Sequence, residues 1–134
     1  MWGGSTTISR AHPEELSIKN EGQIRRPGER FVFLDEGKGP KPGKRASPWA
    51  VYYDKPTWWD IPTVRHSDGT NWSFADGHSE YHKWRDKRTM DLAELRPPYE
   101  HVNPGKADVT HQDPHNEDLE WVQRGIWGKL GYTP

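Results

Sequence analysis

Apolar residues fall in short alternating bursts along this chain, separated by polar stretches rich in glycine and proline. The clearest burst lies at 70–84, where Thr70-Asn71-Trp72-Ser73-Phe74 leads into Asp76-Gly77 and Ser79-Glu80-Tyr81-His82-Lys83-Trp84 follows. A period of two marks a half-buried strand. Asp-Gly between two such runs is a strong hairpin signal, because both central residues of a type I′ turn need φ > 0. With Asp76-Gly77 as a two-residue turn, Ala75 faces His78, Phe74 faces Ser79, Ser73 faces Glu80, Trp72 faces Tyr81 and Asn71 faces His82. Trp72, Phe74, Ser79 and Tyr81 then share a face that needs cover. Ser73, Ala75, His78, Glu80 and His82 share the face that suits water, with Trp84 next along it.

The remaining pattern is sparser. Arg30 to Asp35 predicts a strand whose unbroken apolar stretch suggests burial on both faces, or nearly so. Gly37 to Pro48 holds three Gly, three Pro and four basic residues, which reads as an exposed loop. Trp49 to Tyr53 predicts a second strand, halted by Asp54-Lys55-Pro56. Trp58-Trp59-Asp60-Ile61-Pro62 is an aromatic connector, and Val64 opens the approach to the hairpin. Residues 1–20 form a polar leader in which His12 to Leu16 suits a single helical turn. Residues 85–134 read as a C-terminal extension with helical potential at Met90–Leu95 and a short helix near 114–124. Pro114 suits that helix's first turn, Glu117 and Asp118 favour its N-terminus, and Leu119, Val122 and Ile126 recur on one side. Gly125 and Gly128 argue against extending it far.

The expected architecture is therefore α+β, one domain over residues 1–134, with a small antiparallel sheet of three or four strands, long loops and a short C-terminal helix. No long amphipathic helix is available to lie over Trp72, Phe74 and Tyr81, so the segment around Trp121 is their expected cover.

Composition narrows the picture. Only 31% of the 134 residues are hydrophobic and mean hydropathy is -1.14, so the core must be thin. Eight Trp and five Tyr supply much of what can be buried. A net charge of -1, with both signs interleaved, leaves no electrostatic footprint for nucleic acid. The absence of cysteine excludes disulfides and thiolate metal sites. No nucleophile elbow, phosphate loop, zinc-hydrolase helix or catalytic carboxylate pair is present, which points away from an enzyme.

Three groups of side chains carry candidate chemistry. His66 could act as ligand or base with Asp76, or with Asp35-Glu36 brought alongside by the sheet. The preferred reading has its imidazole holding the loop before the hairpin, since no second catalytic partner stands at a readable spacing. His78, Glu80 and His82 lie at two-residue spacing, a feasible metal geometry, yet an exposed polar face has the same pattern and is commoner. Asp35, Glu36, Asp68 and Asp76 sit at a strand end and in turns, where clustered carboxylates suit calcium. Turn formation explains the same acids without an ion, so no cofactor is expected. The tryptophans at 58–59, 72 and 84 suit either sugar stacking or the core of a poorly apolar sheet, and the core reading is preferred.

The hairpin block also carries a resemblance. His66, nine residues, then Asp76-Gly77, together with Phe31-Val32-Phe33-Leu34-Asp35-Glu36 upstream, resembles the C-terminal domain of the prepilin-like proteins marked by that spacing. Those proteins are similar to the major pseudopilins of type II secretion and abound in planctomycete and verrucomicrobial genomes. Pro27-Gly28-Glu29-Arg30 resembles the family's approach to its first strand, Tyr81-His82-Lys83-Trp84 the end of its hairpin, and Asn116 to Gln123 a terminal segment of the verrucomicrobial branch. The resemblance covers roughly residues 20–124 in scattered blocks.

It implies the globular head of a structural subunit that assembles with other pilin-like subunits into a periplasmic or surface filament serving secretion or adhesion. The alternative is a secreted carbohydrate-binding module built on a pilin-like sheet. The family's calcium-holding members give Asp35, Glu36, Asp68 and Asp76 a second rationale, although no matching calcium-loop spacing occurs. The apolar N-terminal helix of a prepilin, which anchors the intact protein in the inner membrane before forming the filament core, has no counterpart in residues 1–134. The chain alone is thus expected to carry no membrane segment and to be monomeric or weakly associating.

Overall fold

The computed structural model describes residues 18–34, 51–64, 67–99 and 111–134. His66, Asp35, Glu36, the helical turn expected at His12 to Leu16 and the start of the strand expected at Trp49 lie outside the described residues.

Two short 3-10 turns, Glu21–Gln23 and Pro27–Glu29, lead into strand β1, Phe31–Leu34. Strand β2 is Thr57–Trp58, β3 is Gly69–Phe74 and β4 is Ser79–Lys83. Helix α1 spans Lys87–Ala93, β5 is His111–Gln112, and helix α2 spans Glu117–Trp127. The strands make a three-stranded antiparallel sheet in the order β1-β3-β4 and a two-stranded antiparallel ribbon of β2 and β5. This is a small α+β fold, as the alternation of short strands and polar loops predicts. The strand expected at Trp49 to Tyr53 contributes, among described residues, only an isolated bridge from Val51 to Trp58. No helix among the described residues is long and apolar enough to cross a membrane.

The hairpin forms, but its register is one residue away from the expected one. Phe74 N–H donates to the His78 carbonyl at 2.9 Å, and Gly77 N–H to the Phe74 carbonyl at 3.0 Å. The connection is therefore the three-residue loop Ala75-Asp76-Gly77, with Gly77 at φ 93° in the left-handed region that only glycine enters freely. Gly77 takes its expected positive φ, while the loop is longer than the two-residue turn. The consequence runs the length of β4: Trp72 pairs with Glu80, Asn71 with Tyr81 and Ser73 with Ser79. A slip of one residue moves every side chain to the other face. Tyr81, expected beside Trp72 and Phe74, is 44% exposed on the outer face, whereas Trp72 and Phe74 are buried. His82 and Trp84 stand on the inner face with them.

That inner face is covered by α2, as the segment around Trp121 predicts. The Trp121 ring meets Trp72 edge to face at 5.2 Å and stacks parallel to His82 at 3.7 Å. Edge-to-face contacts continue from Trp72 to Trp84 at 6.2 Å and from Trp84 to Trp58 at 6.4 Å, so a chain of indoles replaces the aliphatic core this composition lacks. Two of the buried indoles are also anchored by hydrogen bonds, Trp84 on the Thr63 carbonyl at 2.7 Å and Trp127 on the Val51 carbonyl at 3.1 Å. Leu92 of α1 and Leu119 and Val122 of α2 complete the interior.

Helix α2 begins later and ends later than expected. Asn116, not Pro114, sets its start as N-cap. Gly125 does not halt it, because the glycine serves packing. A β-carbon there would lie 2.0 Å from Phe31 Cε2, so the missing side chain is the space the Phe31 ring occupies.

Candidate functional site

Three polar clusters of the described chain bear on the expected site, two on the β3-β4 hairpin and one at the start of α2. At the hairpin tip, Asp76 accepts from the His78 main-chain N–H at 3.1 Å and from its imidazole, whose other nitrogen lies 3.3 Å from Glu80. The His78 ring also stacks on Phe74 at 4.2 Å. The Asp76 carboxylate, with Glu80 behind it, holds His78 above the usual histidine range. All three side chains are exposed.

On the outer face, Asp68 accepts from the Tyr81 hydroxyl and pairs with Lys83 at 2.9 Å. The Tyr81 and Lys83 hydrogen bonds draw the Asp68 carboxyl below its usual range. Ser73 and Ser79, directly opposite in the ladder, are hydroxyl to hydroxyl at 3.3 Å. Asn71, Ser73, Ser79, Tyr81 and Lys83 thus make a wall of mixed polarity and sign.

The third place is interior, at the corner where β5 turns into α2. Asn116 is fully buried, and its Oδ1 accepts from the N–H groups of Asp118 at 2.9 Å and Leu119 at 3.1 Å. Its Nδ2 donates to Thr89 Oγ1 at 3.1 Å and to Asp113 Oδ2 at 3.3 Å. One amide therefore caps α2 and ties it to α1 and to the β5 corner. Asp118 reaches the start of α1, taking N–H donation from Arg85 at 3.0 Å and Asp86 at 2.9 Å, with His82 Nε2 at 3.4 Å. Burial pushes the Asp118 carboxyl up, but hydrogen bonds from His82 and those main-chain donors outweigh it and leave it below its usual range.

Asp113 has the opposite balance. Its Oδ2 also accepts from Trp58 Nε1 at 3.0 Å, while Oδ1 faces Arg88 and His111, each at 3.7 Å. Burial dominates and raises its pKa despite these partners.

Of the expected site residues, the described pair Asp68 and Asp76 does not converge. Asp68 precedes β3 and Asp76 follows it, so six residues of extended strand separate them, a span of about 20 Å. Asp68 is engaged with Tyr81 and Lys83, and Asp76 with His78. No group of three His, Asp or Glu side chains that could hold a metal occurs among the described residues. His78 and His82 share a face but diverge, one at the exposed tip and the other under Trp121. Trp58, Trp72 and Trp84 are 0%, 1% and 3% exposed, so their ring faces are core and not a stacking platform.

The interior corner of Asp113, Asn116 and Asp118 is what sequence reasoning missed. A usable signal was present: asparagine followed by two acids and then Leu119 is an N-cap pattern. No family model matches this chain, and no curated protein or solved structure matches it either.

Proposed function

We propose that this chain is the globular head of a pilin-like, pseudopilin-type subunit, a non-catalytic building block of a periplasmic or surface filament linked to secretion or adhesion. The observation that carries the reading is the two-sidedness of the hairpin. Its inner face packs Trp72 and His82 on Trp121, and its outer face leaves Asn71, Ser73, Ser79, Tyr81 and Lys83 as a polar wall. The same hairpin holds Asp76-Gly77, the block on which the resemblance to prepilin-like proteins rests. Buried carboxylates support the reading as well: Asp113 and Asp118 are engaged at helix starts and strand corners, work suited to a rigid part. Helical polymers need two different complementary surfaces on each subunit. The hairpin wall and the exposed side of α2 lie on opposite sides of the sheet and suit that requirement.

The chain contains no cysteine, which makes cross-linking in cells clean. Cysteines placed singly at Ser73, Ser79 or Lys83, and in pairs with a cysteine at Glu120 or Arg124, are oxidised in the native cells, followed by fractionation. The expected result is a ladder of oligomers in the envelope or surface fraction, strongest for pairs that combine the two walls. Monomer alone at every pair, or a wholly cytoplasmic location, refutes the proposal. Binding on a glycan array without any ladder favours the carbohydrate-binding alternative.

A further inference from the structure

The peptide bond after Asp113 combines features that nothing in a structural head requires. Asp113 is 2% exposed, while Pro114 and His115 beside it are exposed, so the bond lies at the boundary between core and water. The chain is clamped on both sides: Asp113 N–H donates to the Pro56 carbonyl at 2.8 Å, and the Pro114 carbonyl accepts from Arg88 at 3.0 Å. Between this clamp and the Asn116 cap, His115 is forced to φ 58°, a left-handed conformation uncommon outside glycine. Trp58 and Asn116 both hold Oδ2, which leaves Oδ1 as the oxygen free of these two donors.

We propose that Asp113–Pro114 is a self-cleavage site, at which the Asp113 side chain attacks its own main-chain carbonyl and releases Pro114 as a new amino terminus. Asp113 enters as the neutral acid. Oδ1 bonds to the main-chain carbonyl carbon, the carboxyl proton passes to the Pro114 nitrogen, and the carbon–nitrogen bond breaks. The products of this step are a cyclic anhydride on Asp113 and the secondary amine of Pro114. Water then opens the anhydride to two carboxyl groups, so the net reaction is hydrolysis of one peptide bond. Proline favours the step because its tertiary amide nitrogen is the more readily protonated leaving group.

Among the described residues, the charged and titratable groups around this corner are Asp86, Arg88 and Asp91 from α1 and its cap, His111 from β5, Tyr99, His115, and Asp118 from α2. Of these, Arg88 and His111 face Oδ1. Burial keeps the proton on Asp113 to milder acidity than an exposed aspartate allows, which places the reaction at moderately low pH. Cleavage would cut the covalent link between the sheet and α2, its cover. The inference does not depend on the filament reading.

The test is intact-mass analysis of the purified chain held at about pH 5, folded and, in parallel, unfolded in guanidinium. The expected result is a pair of fragments ending at Asp113 and starting at Pro114, formed about tenfold or more faster from the folded chain. Asp113→Asn should abolish them. His115→Gly, which removes the left-handed strain and keeps the Asp113 side chain, should slow them without lowering the urea midpoint. Equal or slower cleavage of the folded chain would reduce the effect to ordinary acid lability of an Asp-Pro bond and overturn the proposal. Fragments persisting in Asp113→Asn, or no fragments at this bond, would overturn it as well.

Discussion

Replacing Gly125 by alanine sets two known effects against each other at one position. Helix propensity favours alanine by about 1 kcal/mol in a helix interior. Packing opposes it, because the new β-carbon would lie 2.0, 2.2 and 2.4 Å from three atoms of the Phe31 ring. That ring cannot shift freely. It is held by Trp72 at 4.4 Å, Trp121 at 4.7 Å and Phe74 at 5.2 Å, and all three belong to the sheet or its cover. Overpacking of this kind costs about 1–3 kcal/mol, and expelling the half-buried ring instead would forfeit part of the roughly 3–5 kcal/mol that a core phenyl contributes. Packing should win, leaving Gly125→Ala less stable by about 1–2 kcal/mol and melting roughly 3–8 °C lower. Urea unfolding followed by tryptophan fluorescence measures it, since Trp121 and Trp72 border the disturbed ring. A double-mutant cycle with Phe31→Ala isolates the cause: once the ring is gone, Gly125→Ala should cost nothing or stabilise, with a coupling of about 1 kcal/mol or more. A Gly125→Ala chain as stable as the parent, or a cycle without coupling, would refute the packing account.

Three further outcomes follow from the geometry. Asn116→Ala removes the α2 cap and leaves Thr89 and Asp113 short of a buried partner; denaturant unfolding should show a loss of about 2–4 kcal/mol, and a loss below half a unit would contradict the hub role. Asp118 has a depressed folded-state pKa, so its stabilisation is present above the unfolded value near 3.9 and fades as pH falls through the folded one; Asp113, with a raised pKa, has the opposite sign and opposes folding as it ionises with rising pH. Asp118→Asn should therefore cost more than Asp113→Asn at neutral pH and flatten the acid limb of a stability–pH curve, and the reverse order would show the signs misassigned. Gly77→Val should cost about 1–3 kcal/mol through backbone strain alone, because nothing lies within 4 Å of the added β-carbon; an unchanged urea midpoint would argue against the left-handed loop.

What the sequence revealed and what it hid divide along physical lines. Strands β1, β3 and β4 and helix α2 were legible because their side-chain periodicity is local. So was the burial of Trp72 and Phe74 beneath Trp121, since a contiguous aromatic face must be covered by something within reach. The register was not legible, because Asp-Gly serves a two-residue turn and a three-residue loop equally well, and only hydrogen-bond closure at Phe74 and His78 decides between them. Tyr81 went to the wrong face for that reason alone. The end of α2 was hidden because glycine weakens a helix intrinsically, whereas Gly125 answers to Phe31, distant in sequence. Likewise nothing in the neighbours of Asp113 and Asp118 along the chain announces that Trp58, Arg85 and Asp86 supply their donors.

The three-residue loop also bears on how this domain can drift in evolution. Ala75, Asp76 and Gly77 close the end of a hairpin, with Asp76 and Gly77 exposed, the kind of place where substitutions and insertions are usually absorbed together. Here the two tolerances part company. An exchange of side chains at Ala75 or Asp76 leaves the ladder as it is. Loss or gain of a single residue, if β4 re-pairs with β3 to suit the new loop, brings Tyr81 and Lys83 to the face of Trp72 and Phe74 and turns His82 and Trp84 away from Trp121. Homologous chains should therefore vary in the letters of this loop while holding its length, with any indel matched by a compensating one in the same hairpin.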